Sequence, residues 1–268
     1  MAERAELHTL WDVVGTVRVR GRANDRALAG ESTAPHAVFV HGLGMATNYL
    51  EPTMRALGDE IAVSALDLPG FGGSRPVRGH LPLSALADAL IAWIRVRGIT
   101  APILVGQSHG CQVVVEAVAR VPDVASALVL NAPTMVAEHR SIGAQLWRVA
   151  RDTPREPSSL VPHVARDYLR AGPVRILATL NDALRDRIEE KLPDVRLPVT
   201  IANGARDPVS PPAWGERLSR ITGSRVGGRG AYLVVVPGAA HAVPFSHPRA
   251  LAAEIVAMAR HVQARTFR

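Results

Sequence analysis

The stretch Ile103-Leu-Val-Gly-Gln-Ser-His-Gly-Cys111 constrains this chain more than any other. A short apolar run, Ile103 to Val105, stops at Gly106, and an apolar, helix-like segment begins directly after Gly110. Strand, sharp turn and helix therefore follow one another with Ser108 at the apex. In a Gly-x-Ser-x-Gly turn of this kind the serine hydroxyl stands clear of the sheet edge, the arrangement of a nucleophile elbow. Gly106 and Gly110 lack the Cβ atoms that would collide where strand and helix come this close. Ser108 is the candidate nucleophile.

The rest of the chain supplies a setting for that turn. Residues 12–20 alternate around Val17 and Val19, which predicts an edge strand with one solvated face. Ala37-Val-Phe-Val40 is short and continuously apolar, as a buried strand is, and ends in His41-Gly-Leu-Gly-Met45. A helix is expected from Thr47 to Leu57. Ile61 to Leu66 is the next strand, closed by Asp67-Leu-Pro-Gly-Phe-Gly-Gly-Ser74, whose proline and glycines force a turn. Leu83, Leu86, Ala87, Leu90, Ile91 and Ile94 fall on one helical face. Ala125 to Leu130 reads as a strand again. Such alternation implies βαβ units, hence a mostly parallel central sheet with helices on both faces. His41, Asp67 and Ser108 all follow strands, at the end of the sheet where ligands gather.

After Asn131-Ala-Pro133 the alternation stops. Residues 134–193 contain helical stretches, Ile142 to Val149 and Val174 to Ile188, punctuated by prolines and without a convincing strand. The expectation is a small helical cap, 134–193, inserted after the sixth strand into a core made of 1–133 and 194–268. Its lining is expected to be apolar, with Leu146, Trp147 and Leu169 among the candidates. Strand character resumes at Leu197 to Ala202, which ends at Asn203-Gly-Ala-Arg-Asp-Pro208. Ser210 is the expected N-cap of the next helix. Tyr232 to Val236 is the last strand, followed by Pro237-Gly-Ala-Ala-His241, and a terminal helix starts near Pro248.

A serine hydroxyl is a weak nucleophile at neutral pH, so it needs a base to take its proton and a third group to orient that base. Asp207 and His241 both lie just past strands and follow Ser108 in the order serine, acid, histidine. With these residues in view, the chain resembles the α/β-hydrolases, in particular the capped, esterase- and lipase-like branch. The likeness runs from His41 to Pro248 and is carried by His41-Gly-Leu-Gly, Asp67-Leu-Pro-Gly-Phe-Gly-Gly-Ser, Gly106-Gln-Ser-His-Gly, Gly204-Ala-Arg-Asp-Pro and Gly238-Ala-Ala-His.

The resemblance implies that Ser108 is the nucleophile, His241 the general base and Asp207 its orienting carboxylate. Relatives that take the acid one strand earlier have a carboxylate where this chain has Asn131. It further implies an oxyanion hole formed by the backbone N–H groups of Leu43 and His109, with His41 holding the loop. Asp67 is expected to be a turn residue. His247, beside Pro248, is expected to anchor the last helix. Relatives with aspartate at the apex of the elbow process halides and epoxides, so Ser108 points to acyl chemistry: a serine hydrolase cleaving a small-molecule ester or related acyl compound through an acyl-enzyme. The alternatives are a carbon–carbon bond hydrolase or thioesterase and, in another class, a non-catalytic ligand-binding member of the fold.

No metal-ligand spacing and no dinucleotide-binding glycine loop is present, so no cofactor and no metal are expected. No apolar run reaches the roughly 20 residues that a bilayer span needs. The polar first ten residues lack the apolar core of a signal peptide, and Cys111 is the single cysteine, so a cytoplasmic protein is expected. The formal net charge is +7, yet the arginines are scattered and Lys191 is the one lysine. That argues against nucleic acid. The expected partner is a small-molecule substrate with an apolar acyl or aromatic part, an acidic carrier protein being the other candidate.

Overall fold

A computed structural model describes residues 5–30, 35–58, 60–74, 77, 79–227 and 230–266. The strands are β1 (His8–Val14), β2 (Val17–Ala23), β3 (His36–Val40), β4 (Ala62–Leu66), β5 (Ile103–Gln107), β6 (Ala127–Asn131), β7 (Val199–Gly204) and β8 (Tyr232–Val236). They form one sheet in the order β1-β2-β4-β3-β5-β6-β7-β8; β1 and β2 run antiparallel to their neighbours and the other strands are parallel. The helices are α1 (Asp25–Ala29), α2 (Glu51–Ala56), α3 (Leu83–Val96), α4 (His109–Arg120), α5 (Ile142–Asp152), α6 (Val161–Ala171), α7 (Pro173–Arg185), α8 (Ile188–Lys191), α9 (Pro212–Ile221), α10 (Val243–Ser246) and α11 (Pro248–Thr266). No helix among the described residues is long and apolar enough to cross a membrane.

Period-two alternation in the central strands divides the core into two layers. Val38, Val40, Leu104, Leu128 and Leu130 pack on one face with α3 and α4, around the fully buried Trp93. Ala37, Phe39, Ile103, Val105 and Val129 face the other way, toward α2 and α11. The predicted face of α3 is buried as expected, from Leu83 to Ile94. The register pairs Val40 with Gly106, so the loop leaving β3 lies beside the turn leaving β5. Here the chain order reverses across the sheet, and the ends of the strands open a crevice.

Two local expectations change. The single edge strand expected over 12–20 is a hairpin of β1 and β2, because Gly15 takes a positive φ of 58° and turns the chain between Val14 and Val17. Ser210 does not cap α9, which begins at Pro212 after Pro211. The Ser210 hydroxyl instead donates to the Pro133 carbonyl at 2.7 Å and accepts from Asn203 Nδ2 at 2.9 Å, joining the ends of β6 and β7.

Between β6 and β7 the described chain is helical, with α7 packed on α3 and α8 on α4. Leu146, Trp147 and Leu169, named for the cap lining, are 59%, 57% and 83% exposed and so are not packed into the core. On α5 the buried residues are Gln145 and Asp152, and on α6 they are Asp167 and Ala171. Polar contacts turn α5 this way. Gln145 Nε2 donates to the His139 carbonyl, and Asp152 accepts from the backbone of His241, while Ile142, Leu146, Trp147 and Val149 of the helix stay exposed.

Candidate active site

Ser108 sits between β5 and α4 with φ 55° and ψ −121°, a conformation that L residues rarely adopt. Close packing on both sides holds it there. A Cβ on Gly110 would lie 2.3 Å from the Val40 carbonyl oxygen, and one on Gly106 would lie 2.7 Å from Cys111 Cα. The Ser108 N–H donates to the Asn131 carbonyl at 2.9 Å, which ties the turn to the end of β6. Strain concentrated at one residue and supported by its surroundings is common at functional sites.

His241 follows β8, and its Nε2 lies 3.0 Å from Ser108 Oγ. Its Nδ1 lies 2.8 Å from Asp207 Oδ2. A carboxylate only accepts, so Nδ1 carries a hydrogen, and in the neutral ring Nε2 is free to accept from the serine. Asp207, in the turn after β7, is fixed in turn: its Oδ1 accepts from the N–H groups of Val209 at 2.7 Å and Ser210 at 2.9 Å. Its side chain has no solvent exposure and that of His241 only 16%. Burial works to lower the His241 pKa, but the charge and hydrogen bond of Asp207, helped by Asp152 and Glu156, outweigh it and raise the value to about 9.

Asn131 is engaged elsewhere. It is buried, and its Nδ2 donates to the Ala202 carbonyl at 3.0 Å. Among the described residues the backbone N–H groups of Leu43 and His109 have no intramolecular acceptor. The His109 ring is buried, and burial first, then His41 and His80, push its pKa down to about 3, so it is neutral.

The remaining sequence candidates are structural. His41 donates from Nδ1 to the Gly42 carbonyl at 2.8 Å and accepts at Nε2 from the Leu68 N–H at 3.0 Å, spanning two loops. Asp67 accepts from the N–H groups of Thr47 and Gly73, both at 2.7 Å, and pairs with Arg20 at 2.7 Å. Cys111 is buried and turned onto the carbonyls of Gly106 and Asn131. The His247 carbonyl accepts from the N–H of Ala250 at the start of α11, and its ring contacts Ser246.

Several supports of the site carry no signal that sequence reasoning finds. The Gly42 N–H donates to Tyr49 Oη at 2.9 Å, and that hydroxyl donates to Gln107 Oε1 at 2.6 Å. Gln107 Nε2 reaches the His241 carbonyl at 3.3 Å. Asp152 and Glu156 accept from the N–H groups of His241 and Ala242. Arg148 Nη1 donates to the Pro208 carbonyl beside Asp207. Of the side chains that make these contacts, Gln107 alone lies inside a motif, that of the elbow, and could have been singled out there.

The arrangement can deliver a serine alkoxide to a carbonyl: a positioned hydroxyl, a base with the correct tautomer, and two free N–H groups. Comparison with known proteins agrees with this chemistry. A model of the alpha/beta hydrolase family matches residues 37–254. The chain is 30% identical over 242 residues to a pimeloyl-[acyl-carrier protein] methyl ester esterase of Neisseria meningitidis, covering 80% of this chain and 90% of the relative. It is 26% identical over 239 residues to a 2-(acetamidomethylene)succinate hydrolase of Mesorhizobium japonicum, covering 80% of this chain and 84% of the relative. In structure it superposes on a thermophilic esterase from Thermogutta terrifontis with a TM-score of 0.75 at 21% identity, over 97% of this chain and 100% of the other, a likeness of fold.

Proposed function

The chain belongs to the alpha/beta hydrolase family, and from that premise we propose that it is a serine hydrolase that cleaves a small-molecule ester through an acyl-enzyme on Ser108. The observation that carries the reading is the hydrogen-bonded line from Asp207 through His241 to Ser108, at 2.8 and 3.0 Å. His241 Nε2 takes the hydroxyl proton as Oγ attacks the ester carbonyl. Asp207 holds the imidazole in position and stabilises the imidazolium that results. The tetrahedral oxyanion is held by the N–H groups of Leu43 and His109. His241 then returns its proton to the leaving alcohol, and a water molecule activated by the same nitrogen releases the acid.

An apolar acyl or aromatic part of the substrate is supported by the cluster of Met135, Leu180 and Ala183 with Leu43 and Leu184, which begins at the proposed oxyanion loop. The division into a core of 1–133 and 194–268 and a cap of 134–193 belongs to the same reading, supported by a succession of helices with no strand among them between β6 and β7. So do independence of cofactors, since side chains and water account for every step, and a cytoplasmic setting, which suits the free Cys111.

A second reading brings the acyl group in on an acidic carrier protein. It is favoured by the similarity to an esterase named for a carrier-bound methyl ester, and by the formal charge of +7. A fluorophosphonate probe tests the mechanism: wild type is expected to label and Ser108→Ala to stay unlabelled, and equal labelling of the two would sink it. Turnover of a carrier-bound methyl ester beside the free methyl ester then separates the two readings of substrate.

A further inference from the structure

The His241 peptide is held from both sides of the crevice. Its carbonyl accepts from Gln107 Nε2, on the elbow strand, at 3.3 Å. Its N–H donates to Asp152 Oδ1 at 3.3 Å, and the next N–H, of Ala242, donates to Glu156 Oε1 at 2.6 Å. The two carboxylates come from the last residue of α5 and from the end of the 3-10 turn Thr153–Arg155 that follows it.

Neither acid is in an ordinary surface setting. Asp152 is 7% exposed, and the second oxygen of Glu156 is buried without a hydrogen-bond partner. Among the described residues, neither forms an ion pair with an arginine or lysine. A buried carboxylate without a cation is costly. The cation that these two are placed to meet is an imidazolium at His241.

We infer that Asp152 and Glu156 are positioning residues for the reaction: their oxygens fix the His241 loop through its backbone N–H groups, and their charges stabilise the imidazolium formed when His241 takes the Ser108 proton. The assignment rests on Ser108 as nucleophile and His241 as base. The electrostatics agree with the geometry. Burial first pushes the Asp152 pKa up to about 7, with the His241 charge opposing it and Glu156 and Asp207 adding to it, and both acids contribute to the raised value of His241. The groups facing His241 are Ser108 and Asp207 from the ends of β5 and β7, and Asp152 and Glu156 from the helical segment. Arg148 lies behind Asp207, whose charge it feels.

The sign of the effect separates this role from simple packing. An anion beside His241 keeps the imidazole protonated to higher pH, so removing the anion frees the base at lower pH while weakening the imidazolium in the transition state. Asp152→Asn and Glu156→Gln keep an acceptor oxygen and lose the charge. With a chromogenic ester, the acid limb of kcat/KM is expected to move down by about one pH unit in each variant. The ratio of kcat/KM at neutral pH to its alkaline plateau then rises about tenfold, while the plateau itself falls. Asp152→Ala also removes the acceptor, and its kcat is expected to drop about tenfold further, because the His241 N–H is left without a partner.

Near-ultraviolet circular dichroism checks that the Asn and Gln variants are folded. Acid limbs that superimpose on the wild-type limb, with kcat unchanged in Asp152→Ala, would overturn the assignment. Fluorophosphonate labelling run in parallel tells the two failures apart. Labelled wild type with unmoved limbs removes only this inference, whereas unlabelled wild type removes the Ser108 reading and this inference with it.

Discussion

Replacing Tyr49 by phenylalanine removes one oxygen atom from a residue that is 2% exposed, and so isolates what the phenol does. That oxygen accepts from the Gly42 N–H at 2.9 Å and donates to Gln107 Oε1 at 2.6 Å. Gly42 is buried and Gln107 is 4% exposed, so water does not readily replace the lost partner at either group. Each orphaned group costs about 1–2 kcal/mol, for a total of about 3 kcal/mol. In a protein of this size that is a fall in Tm of roughly 6–12 °C. Gly42 also precedes Leu43, the proposed oxyanion donor, so its loosening acts on the transition state. The expected result is a fall in kcat of about tenfold with KM nearly unchanged. Thermal and urea unfolding read the first quantity, and initial rates on a chromogenic ester the second. A fall of less than about 2 °C together with wild-type kcat would refute the reasoning, because a buried pair of this kind is not removed at no cost.

Asp207→Asn is expected to lower kcat by about 10³–10⁴-fold with little loss of stability. The N–H groups of Val209 and Ser210 require an oxygen at Oδ1, which leaves the amide NH₂ facing His241 Nδ1. The imidazole must then carry its hydrogen on Nε2 and presents no acceptor to Ser108; kinetics on the folded variant check this. A pH effect on stability is expected at His36, whose pKa burial and then Arg97 lower from 6.5 to about 4. The unfolded chain binds this proton more readily, so the stability is present above the unfolded value and is lost as pH falls toward the folded one, by about 3 kcal/mol. His241 acts in the opposite direction, since its folded value is raised. The comparison is therefore made between wild type and His36→Asn, in urea unfolding at neutral pH and at about pH 4.5. A smaller loss of stability on acidification in the variant is the expected outcome, and parallel losses would refute it.

Much of the candidate site is legible in the amino-acid sequence. Ser108, Asp207 and His241 each stand a few residues past an apolar run and within three residues of a glycine or proline, so strand, turn and reactive side chain are written within one short window. Helix α3 is equally plain, because its stripe repeats over four turns. The hairpin of β1 and β2 is harder to see: Gly15 sits inside an alternating run, and alternation does not show where a strand folds back. Helix α5 departs from its pattern, since its apolar residues suggest the buried face and two buried polar side chains set its rotation instead.

By itself, then, the sequence determined the alternating α/β architecture, the strained elbow and the order of serine, acid and histidine. These follow from backbone preferences and periodicities that operate over a few neighbouring residues. Only the tertiary structure decided what holds the reactive groups in place. Tyr49 meets Gln107 across 58 residues of chain, and Asp152 and Glu156 meet the His241 loop across 89 and 86. Such contacts depend on how whole helices are turned against the sheet. That rotation is settled where buried N–H groups find their acceptors, and no local pattern in the chain records it.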